Sequence, residues 1–326
     1  MTLYPLKFSP VFCYRIWGGE KLKTELNKKY DEDSIGESWE ISDVDHFETV
    51  VSEGNLKGAT LKHLIQQYKG DFVGESVYKQ FGDEFPLLIK FIDAKTPLSI
   101  QVHPDDALAR ERHNSFGKNE MWVVMESDKD AELIVGFNQK ITKEDYFNHL
   151  KNNTLTTVLN TEKVKSGDVF YIPAGRVHAI GAGVLLAEIQ QTSNITYRIY
   201  DYNRVDPQTG QQRELHTELA LDAINFDLID QYKTHYNLEV NKTNHLVHSP
   251  FFKTDIIKIK DCLIRDYNHI DSFVIYICLD GFAKIVTVEG IFNIQKGETI
   301  LLPATIKLTE IQSNEAEIIE VYMEVI

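Results

Sequence analysis

Two side chains able to donate to a metal ion, Gln101 and His103, stand two positions apart in the segment Leu98–His103. The apolar alternation of this segment predicts a β-strand, in which residues two apart project from the same face. Gln101 and His103 then point toward one spot, while Ile100 and Val102 pack on the opposite face. A single histidine on a strand is more often a core residue than a ligand, so a metal site requires further donors.

Two further donors occur downstream. Glu120 opens an apolar strand after the turn Gly117–Asn119, and His178 opens a strand after the run Gly167–Val177. Taken singly, Glu120 fits an exposed strand start and His178 fits a surface loop. Together with Gln101 and His103 they form a mixed nitrogen and oxygen set that suits Zn²⁺ or another divalent first-row metal. Their order and context favour the metal site.

The context of these donors resembles a known family. The runs LSIQVHPDD (98–106), GKNEMW (117–122) and GDVFYIPAGRVHAI (167–180) resemble the cupin β-barrel metal site, and more narrowly type I phosphomannose isomerases of the short bacterial kind. The resemblance covers roughly the first two thirds of the chain. It extends to four further runs: Trp17–Gly19, Ile35–Glu40, Pro86–Lys90 and Tyr197–Arg204.

The resemblance implies an activity and a set of metal ligands. It implies a zinc-dependent aldose–ketose isomerase that interconverts mannose 6-phosphate and fructose 6-phosphate through an enediol or enediolate. One Zn²⁺ per chain would be held by Gln101, His103, Glu120 and His178. A divalent cation suits this chemistry because a Lewis acid stabilises charge that develops on the carbonyl oxygen.

The same resemblance assigns Arg198 as the active-site arginine and points to Lys90, Ser99 and Lys118 for the substrate phosphate. Glu188, in the apolar strand that follows His178, is a candidate for the proton-transferring base. A strand carboxylate paired with a nearby cation explains Glu188 equally well, and Lys118 is a further catalytic candidate. The sequence leaves the identity of the base open.

Two other functions remain compatible with the ligand set. A non-catalytic bicupin could bind a sugar phosphate as a sensor. An Fe²⁺ oxygenase could use His103, Glu120 and His178 alone, because two histidines and one carboxylate suffice for such a centre. Turnover that does not require air would separate an isomerase from an oxygenase.

Composition restricts the partners. The 326 residues include 34 Lys and Arg against 49 Asp and Glu, a formal charge of −15. The chain has no basic stripe to neutralise a nucleic-acid backbone, so a nucleic-acid partner is not expected. A protein this acidic must gather cations locally to bind a phosphorylated sugar.

Cysteine usage and hydropathy indicate a cytoplasmic protein. Cys13, Cys262 and Cys278 are scattered and odd in number, which predicts reduced thiols and no disulfide framework. The first residues lack a basic segment followed by a long apolar run, and no stretch of 18 uncharged apolar residues occurs. Neither a signal peptide nor a membrane partner is expected.

Local patterns predict four short helical segments among these strands. Thr60 is the predicted N-cap of a helix that breaks at Gly70, with a second helix over 73–81. Asp105 and Asp106 read as helix-start residues and not as ligands. A capped helix is also predicted over Thr142–Leu150.

An internal repeat indicates two similar domains. Gln295–Ala304 repeats Lys165–Ala174 at a displacement of 130 residues, and at that displacement His178 falls on Leu308. The predicted fold is mainly β, with two cupin-like jelly-roll barrels and a small helical insertion at about 57–82. A catalytic domain over 1–235 precedes a C-terminal domain over 236–326 that lacks metal ligands and either buries a sheet edge or covers the site. His245 and His248, in the connecting strand, are not predicted to bind a metal.

Overall fold

The computed structural model describes residues 2–325, and its N-terminal part is built from short antiparallel strands. These strands are β1 (Phe8–Ser9), β2 (Val11–Gly19), β3 (Ile35–Ile41), β4 (Val50–Val51), β5 (Leu87–Ala94), β6 (Ile100–Val102), β7 (Glu120–Ser127), β8 (Glu132–Phe137), β9 (Leu159–Lys163), β10 (Val169–Ile172), β11 (His178–Ile180), β12 (Val184–Gln191), β13 (Tyr197–Tyr200) and β14 (Lys233–Thr234). The helices are α1 (Lys21–Thr24), α2 (Leu61–Tyr68), α3 (Gly70–Val73), α4 (Glu75–Phe81), α5 (Asp106–His113), α6 (Lys143–Lys151) and α7 (Thr217–Ala223), with a 3₁₀ turn at Leu155–Val158.

Longer strands form the C-terminal sheet. They are β15 (Thr243–His248), β16 (Lys253–Asp266), β17 (Val274–Thr287), β18 (Gly290–Gln295), β19 (Thr299–Leu302) and β20 (Leu308–Tyr322). Their order is β15-β16-β20-β17-β18, with β19 paired to β17. The mainly β prediction is therefore confirmed.

Two sheets face each other in the N-terminal part. A seven-stranded sheet runs β14-β10-β7-β12-β5-β2-β3, and a five-stranded sheet runs β13-β6-β11-β8-β9. Side chains that alternate inward from both sheets, among them Trp122, Leu186 and Ile180, form one core between them. The outward residues Ile100 and Val102 pack in a separate core with Tyr146 of α6 and Ala220 of α7. The predicted division of β6 into two faces is confirmed.

The helical insertion is broken differently from the prediction. Thr60 does cap α2, because its hydroxyl accepts the backbone N–H of His63 at 3.2 Å. The break falls at Lys69, where φ is +50°, and again at Gly74, where φ is +99°, so that Gly70 lies inside the short helix α3. The prediction of a break at Gly70 was wrong by one residue, because Lys69 and not the glycine adopts the positive φ.

Two other helix starts agree with the sequence. The Asp105 carboxylate caps α5 by accepting the N–H of Leu108 at 2.9 Å. The Thr142 hydroxyl caps α6 by accepting the Asp145 N–H, and the Asp145 carboxylate in turn accepts the Thr142 N–H, which completes a capping box. Asp105 and Asp106 thus serve the helix start, as predicted.

The repeated segments share one turn. Gly167 and Gly297 both have positive φ, +86° and +82°, a conformation in which a glycine carries no steric cost. In each copy the acidic side chain that follows accepts a backbone N–H, Asp168 from Lys165 at 2.9 Å and Glu298 from Gln295 at 3.1 Å. The two segments are thus similar in the structure of their turns as well as in sequence.

The C-terminal sheet packs behind the seven-stranded sheet. A single core joins outward residues of that sheet, such as Ile89 and Val123, to the helical insertion and to C-terminal residues that include Phe273 and Ile275. The cavity that Gln101 and Lys118 line is formed by residues between 14 and 213. The C-terminal part therefore buries the back of the sheet, and it contributes no residue to the wall of that cavity.

Truncating Phe273 tests this shared core. Its ring lies 4.7 Å from that of Phe85, centroid to centroid, and both side chains are fully buried. We expect Phe273→Ala to lower the free energy of unfolding by about 3–5 kcal/mol, because a large buried ring leaves a cavity. Chemical denaturation of the full chain would measure it. Phe282→Ala, at a ring that is 44% exposed, is the control, and an equal loss in both variants would contradict the shared core.

Among residues 2–325, no helix is both long enough and apolar enough to span a bilayer.

Candidate metal centre and active site

Three predicted ligands converge at one end of the space between the two sheets. His103 follows β6, His178 opens β11 and Glu120 opens β7 on the opposing sheet. His103 Nε2 lies 3.5 Å from Glu120 Oε2, and His178 Nε2 lies 3.4 Å from Glu120 Oε1. These distances are too long for hydrogen bonds, but ligands of one tetrahedral Zn²⁺ lie about 3.3–3.5 Å apart. The spacing fits a shared divalent cation.

The unpaired atoms of this cluster support the same interpretation. His103 Nδ1 is 2.9 Å from the Ile195 carbonyl and His178 Nδ1 is 2.8 Å from the Arg176 carbonyl. Each Nδ1–H can donate to its carbonyl, which leaves Nε2 as a lone pair. Both Nε2 atoms and Glu120 Oε1 are buried without a hydrogen-bond partner, and Glu120 Oε2 has the Lys118 ammonium beside it, at 3.2 Å. Buried acceptors of this kind need a cation.

Electrostatics keep the imidazoles ready to bind a metal. Burial lowers the pKa of His178 to about 3 and lowers that of His103 well below its usual value. Both rings are therefore neutral near pH 7, and protons do not compete for Nε2. Burial and the nearby Glu188 carboxylate raise the pKa of Glu120, and Lys118 opposes this rise.

Gln101 occupies the next position in the same row of side chains. Strand β6 lies between β11 and β13, and Gln101 is paired opposite His178 on one side and Arg198 on the other. Side chains directly opposite one another have Cβ atoms about 4.5–5.5 Å apart. The amide of Gln101 is thus adjacent to both the imidazole of His178 and the guanidinium of Arg198, and it lines the cavity.

Glu188 is held from both sides. Trp122 Nε1–H donates to Glu188 Oε2 at 2.8 Å, and Lys90 Nζ lies 3.3 Å from Glu188 Oε1. Strand register creates these contacts, because Glu188 is opposite Trp122 on β7 and opposite Lys90 on β5. The two readings of Glu188 from sequence thus coexist: it is paired with a cation, and it also lines the cavity.

Lys118 lies beside the ligand cluster. Its Nζ is 3.2 Å from Glu120 Oε2. Burial lowers the pKa of Lys118, but the carboxylates of Glu120, Glu188 and Glu37 together raise it above its usual value. Lys118 therefore carries a positive charge next to the cluster at neutral pH.

A cavity of about 380 Å³ opens beside these residues and gathers positive charge. It is lined by five cationic side chains and three carboxylates: Arg15, Lys90, Lys118, Arg198 and Arg213 against Glu37, Glu188 and Asp206. Ser99 is also part of its wall. The excess of cations, in a chain with a formal charge of −15, meets the requirement for local positive charge that a phosphorylated ligand imposes.

Arg198 is the least neutralised of these cations. Its Nη1 donates to the Glu214 carbonyl at 2.8 Å and its buried Nε has no partner. Burial lowers the pKa of Arg198, and the guanidinium of Arg213 lowers it further. Within residues 2–325, Arg198 forms no salt bridge with a carboxylate. An anion in the cavity could supply the missing charge.

Sequence reasoning missed two cavity cations. Arg15 forms a salt bridge with Glu37 at 2.8 Å, and Arg213 binds Asp201 through two nitrogens at 2.9 and 2.6 Å. Burial raises the pKa of Glu37, but Arg15 and Lys90 outweigh it and lower that pKa to about 2. The one sequence signal for Arg15 was its position two residues before the family-like run Trp17–Gly19.

A second histidine cluster lies in the C-terminal sheet. A register shift in β15 places His245 and His248 on the same face as Asp255 of β16. Asp255 Oδ1 lies 2.6 Å from His245 Nδ1 and 2.9 Å from His248 Nε2. These are hydrogen-bond distances, shorter than the separation of about 3.3–3.5 Å between two ligands of one Zn²⁺. His245, His248 and Asp255 therefore form a hydrogen-bonded group.

Comparison with known proteins gives one consistent family. Residues 6–130 match the family described as "Phosphomannose isomerase type I, catalytic domain", and residues 241–323 match "Mannose-6-phosphate isomerase, cupin domain". The chain is 36% identical over 306 residues to mannose-6-phosphate isomerase ManA of Bacillus subtilis, covering 93% of this chain and 94% of that protein. It is 34% identical to the mannose-6-phosphate isomerase of Streptococcus mutans, covering 93% of each chain.

A solved structure agrees over nearly the whole length. The crystal structure of the mannose 6-phosphate isomerase from Bacillus subtilis superposes with a TM-score of 0.88 at 31% identity. The superposition covers 97% of this chain and 99% of that chain. The similarity thus extends past the first two thirds of the sequence and includes the C-terminal sheet.

Proposed function

Because the chain belongs to the type I phosphomannose isomerase family, we propose that it is a mannose-6-phosphate isomerase that interconverts mannose 6-phosphate and fructose 6-phosphate. One observation carries the proposal. His103, Glu120 and His178 each bring one buried ligand atom within 4.8 Å of the others, and neither imidazole Nε2 has a hydrogen-bond partner, at the end of a cavity rich in cations. The sensor alternative has no observation in its favour.

The metal in this proposal is one Zn²⁺ per chain, held by His103, Glu120, His178 and Gln101. A Zn²⁺ ion suits two imidazoles and a carboxylate, and the reaction requires no redox change. When bound, a divalent cation supplies Lewis acidity that polarises the sugar carbonyl and stabilises the developing oxyanion. The Nδ1 atoms of His103 and His178 are hydrogen bonded to the Ile195 and Arg176 carbonyls. These bonds fix the orientation of both imidazoles, with Nε2 toward the proposed cation.

The protein groups nearest the cluster complete the electrostatics. The ammonium of Lys118, beside Glu120, favours negative charge on the substrate oxygens. Arg198 has donors to spare, because its Nε is unpaired. Charge-assisted hydrogen bonds aimed at developing charge act strongly in a site that excludes water.

Glu188 is the base in this proposal. Its carboxylate lines the cavity and is oriented by the Trp122 N–H and the Lys90 ammonium. It would take the proton from C2 of the aldose and return it to C1, so that the enediol forms and collapses without a free proton in solution. Lys118 is less suited to this role because its pKa is raised.

The guanidinium groups suit the phosphate end of the substrate. A hexose 6-phosphate carries its phosphate at the end of the chain remote from C1 and C2. With C1 and C2 beside Glu120 and Glu188, the phosphate lies toward Ser99 and the two arginines missed by sequence reasoning, Arg15 and Arg213. Arginine binds phosphate oxygens in a bidentate geometry. Lys90 and Lys118 then contact the sugar end, where they pair with Glu188 and Glu120.

The remaining proposals concern organisation and location. We divide the chain at residue 235 into a catalytic cupin domain with the helical insertion and a C-terminal cupin-like domain, which contributes no lining residue to the cavity of the site. The three cysteines are free thiols, two of them buried, which suits a reducing cytoplasm. A phosphorylated hexose is the partner, and neither nucleic acid nor membrane is required.

An assay without oxygen tests the activity. Purified chain, loaded with Zn²⁺ and kept anaerobic, should convert mannose 6-phosphate to fructose 6-phosphate, detected by a coupled enzyme that oxidises the product. Unphosphorylated mannose should react at least about a thousandfold less efficiently, because several charge-assisted hydrogen bonds worth about 1.5–3 kcal/mol each are lost. Turnover that requires oxygen would favour the iron oxygenase, and binding without turnover would favour the sensor.

A further inference from the structure

A buried amide lies directly behind the metal ligands. Asn119, between Lys118 and Glu120, is 4% exposed. Its backbone N–H and its Nδ2 both donate to Gln191 Oε1, at 3.0 and 2.7 Å, and its carbonyl accepts the Gln191 N–H at 3.1 Å. Asn119 Oδ1 accepts the backbone N–H of Ala174 at 3.0 Å. Every polar group of Asn119 is therefore used.

The hydrogen bonds continue in one direction. Gln191 Nε2 donates to Asp106 Oδ1 at 3.0 Å, and the same oxygen accepts the Gly117 N–H at 2.8 Å. Backbone N–H groups donate to Asn119 Oδ1, to Gln191 Oε1 and to Asp106 Oδ1, and so fix each of these atoms as an acceptor. If either side-chain amide rotated by 180°, two oxygens or two N–H groups would face each other. We call Asn119, Gln191 and Asp106 the amide relay.

The amide relay joins the segments that carry three of the four proposed zinc ligands, Glu120, His178 and His103. Asn119 immediately precedes Glu120. Through Ala174 it fixes the turn that leads to His178, and the Gly175 N–H in that turn donates to the His103 carbonyl at 2.9 Å. The Lys118 N–H donates to the Pro104 carbonyl, next to His103, at 3.1 Å.

The turn at Gly117 is held equally closely. A Cβ added at Gly117 would lie 2.5 Å from the backbone of Asp105 and of Asp106. The turn therefore packs directly on the start of α5, which the amide relay also reaches through Asp106. Little freedom remains for the backbone that carries Lys118 and Glu120.

We propose that Asn119 is a positioning residue, which through the amide relay sets the distance between the Glu120 carboxylate and the two imidazoles and so sets metal affinity. The inference rests on the proposed metal centre. A shift of the Glu120 backbone by a fraction of an ångström would change both of its distances to the Nε2 atoms, now 3.5 and 3.4 Å. Groups that orient metal ligands typically change metal affinity by about 10–100-fold when they are removed.

The isosteric variant Asn119→Asp is the main test. Its carboxylate would place an oxygen where Nδ2 now donates to Gln191 Oε1, and rotation of the Gln191 amide would only move the conflict to Asp106. We expect the Zn²⁺ dissociation constant, measured on the full chain by competition with a chromophoric chelator, to rise about 10–100-fold. Gln191→Met, which breaks the amide relay at a second residue, should have the same effect and serves if Asn119→Asp does not fold.

A matched control separates positioning from general stability. Asn244 is also a buried amide, and its side chain accepts the Glu239 N–H and donates to the Ile256 carbonyl in the C-terminal sheet. Asn244→Asp should lower the melting temperature but leave Zn²⁺ affinity within about twofold of the wild type. Unchanged affinity in both Asn119→Asp and Gln191→Met, or an equal loss in Asn244→Asp, would overturn the inference alone. A wild-type chain that binds no Zn²⁺ would overturn the metal centre and the inference with it.

Discussion

The His178→Ala variant is expected to lose at least about a thousandfold in kcat/KM for mannose 6-phosphate. The substitution removes one of the two imidazole nitrogens that face Glu120. A metal that polarises a carbonyl contributes several kcal/mol to the transition state, and each 1.36 kcal/mol is a factor of about ten in rate. Removal of metal from the wild type by a chelator should cause a loss of the same size, and Zn²⁺ should restore activity to the wild type but not to the variant.

The control for this prediction is another histidine. His63 is exposed on α2, and His63→Ala should keep full activity and full dependence on Zn²⁺. Circular dichroism should show that His178→Ala remains folded, a check that is needed because His178 is fully buried with its ring centroid 5.3 Å from that of Trp122. Chelated wild-type protein that turns over as fast as loaded protein would exclude the metal mechanism.

The second large effect is expected at Glu188. The Glu188→Gln variant cannot accept a proton, and we expect kcat to fall about 10²–10⁴-fold, the usual contribution of a positioned base. Binding of Zn²⁺ should persist, because Glu188 is not one of the proposed ligands. The amide oxygen of the glutamine can still accept the hydrogen bond from Trp122.

Isotope exchange identifies the base more directly than rate. In D₂O the wild type should introduce deuterium at C2 of mannose 6-phosphate, because the carboxyl proton exchanges with solvent while the enediol is bound. Glu188→Gln should abolish this exchange. Glu126→Gln is the control, since Glu126 lies on β7 and pairs with Lys296 instead of facing the cavity. Exchange that survives in Glu188→Gln would transfer the role of base to another group.

Local sequence chemistry was enough to predict the elements around the site. Alternation identified the inward face of β6, and the capping residues Thr60, Asp105 and Thr142 fixed three helix starts. Each of these features depends on neighbours within a few residues, because side-chain period and capping are local properties of the backbone. The break at Lys69 was missed because a lysine with positive φ has no local signature.

The sequence by itself also determined the candidate ligands. Gln101, His103, Glu120 and His178 stand in recognisable runs, and the repeat at a displacement of 130 residues showed that the second copy has Leu308 in place of His178. The ability of a side chain to bind a metal and the positions of turns both depend on residue type. They can therefore be predicted from a single sequence.

Only the tertiary structure decided which charges meet. The pairing of Lys90 with Glu188, the amide relay from Asn119 to Asp106, and the entry of Arg15 and Arg213 into the cavity join residues far apart in the chain. Such contacts depend on strand register across two sheets, where a shift of one residue reverses every side chain. The shared core behind the seven-stranded sheet has the same origin, because burial of a whole face is decided by packing and not by any single segment.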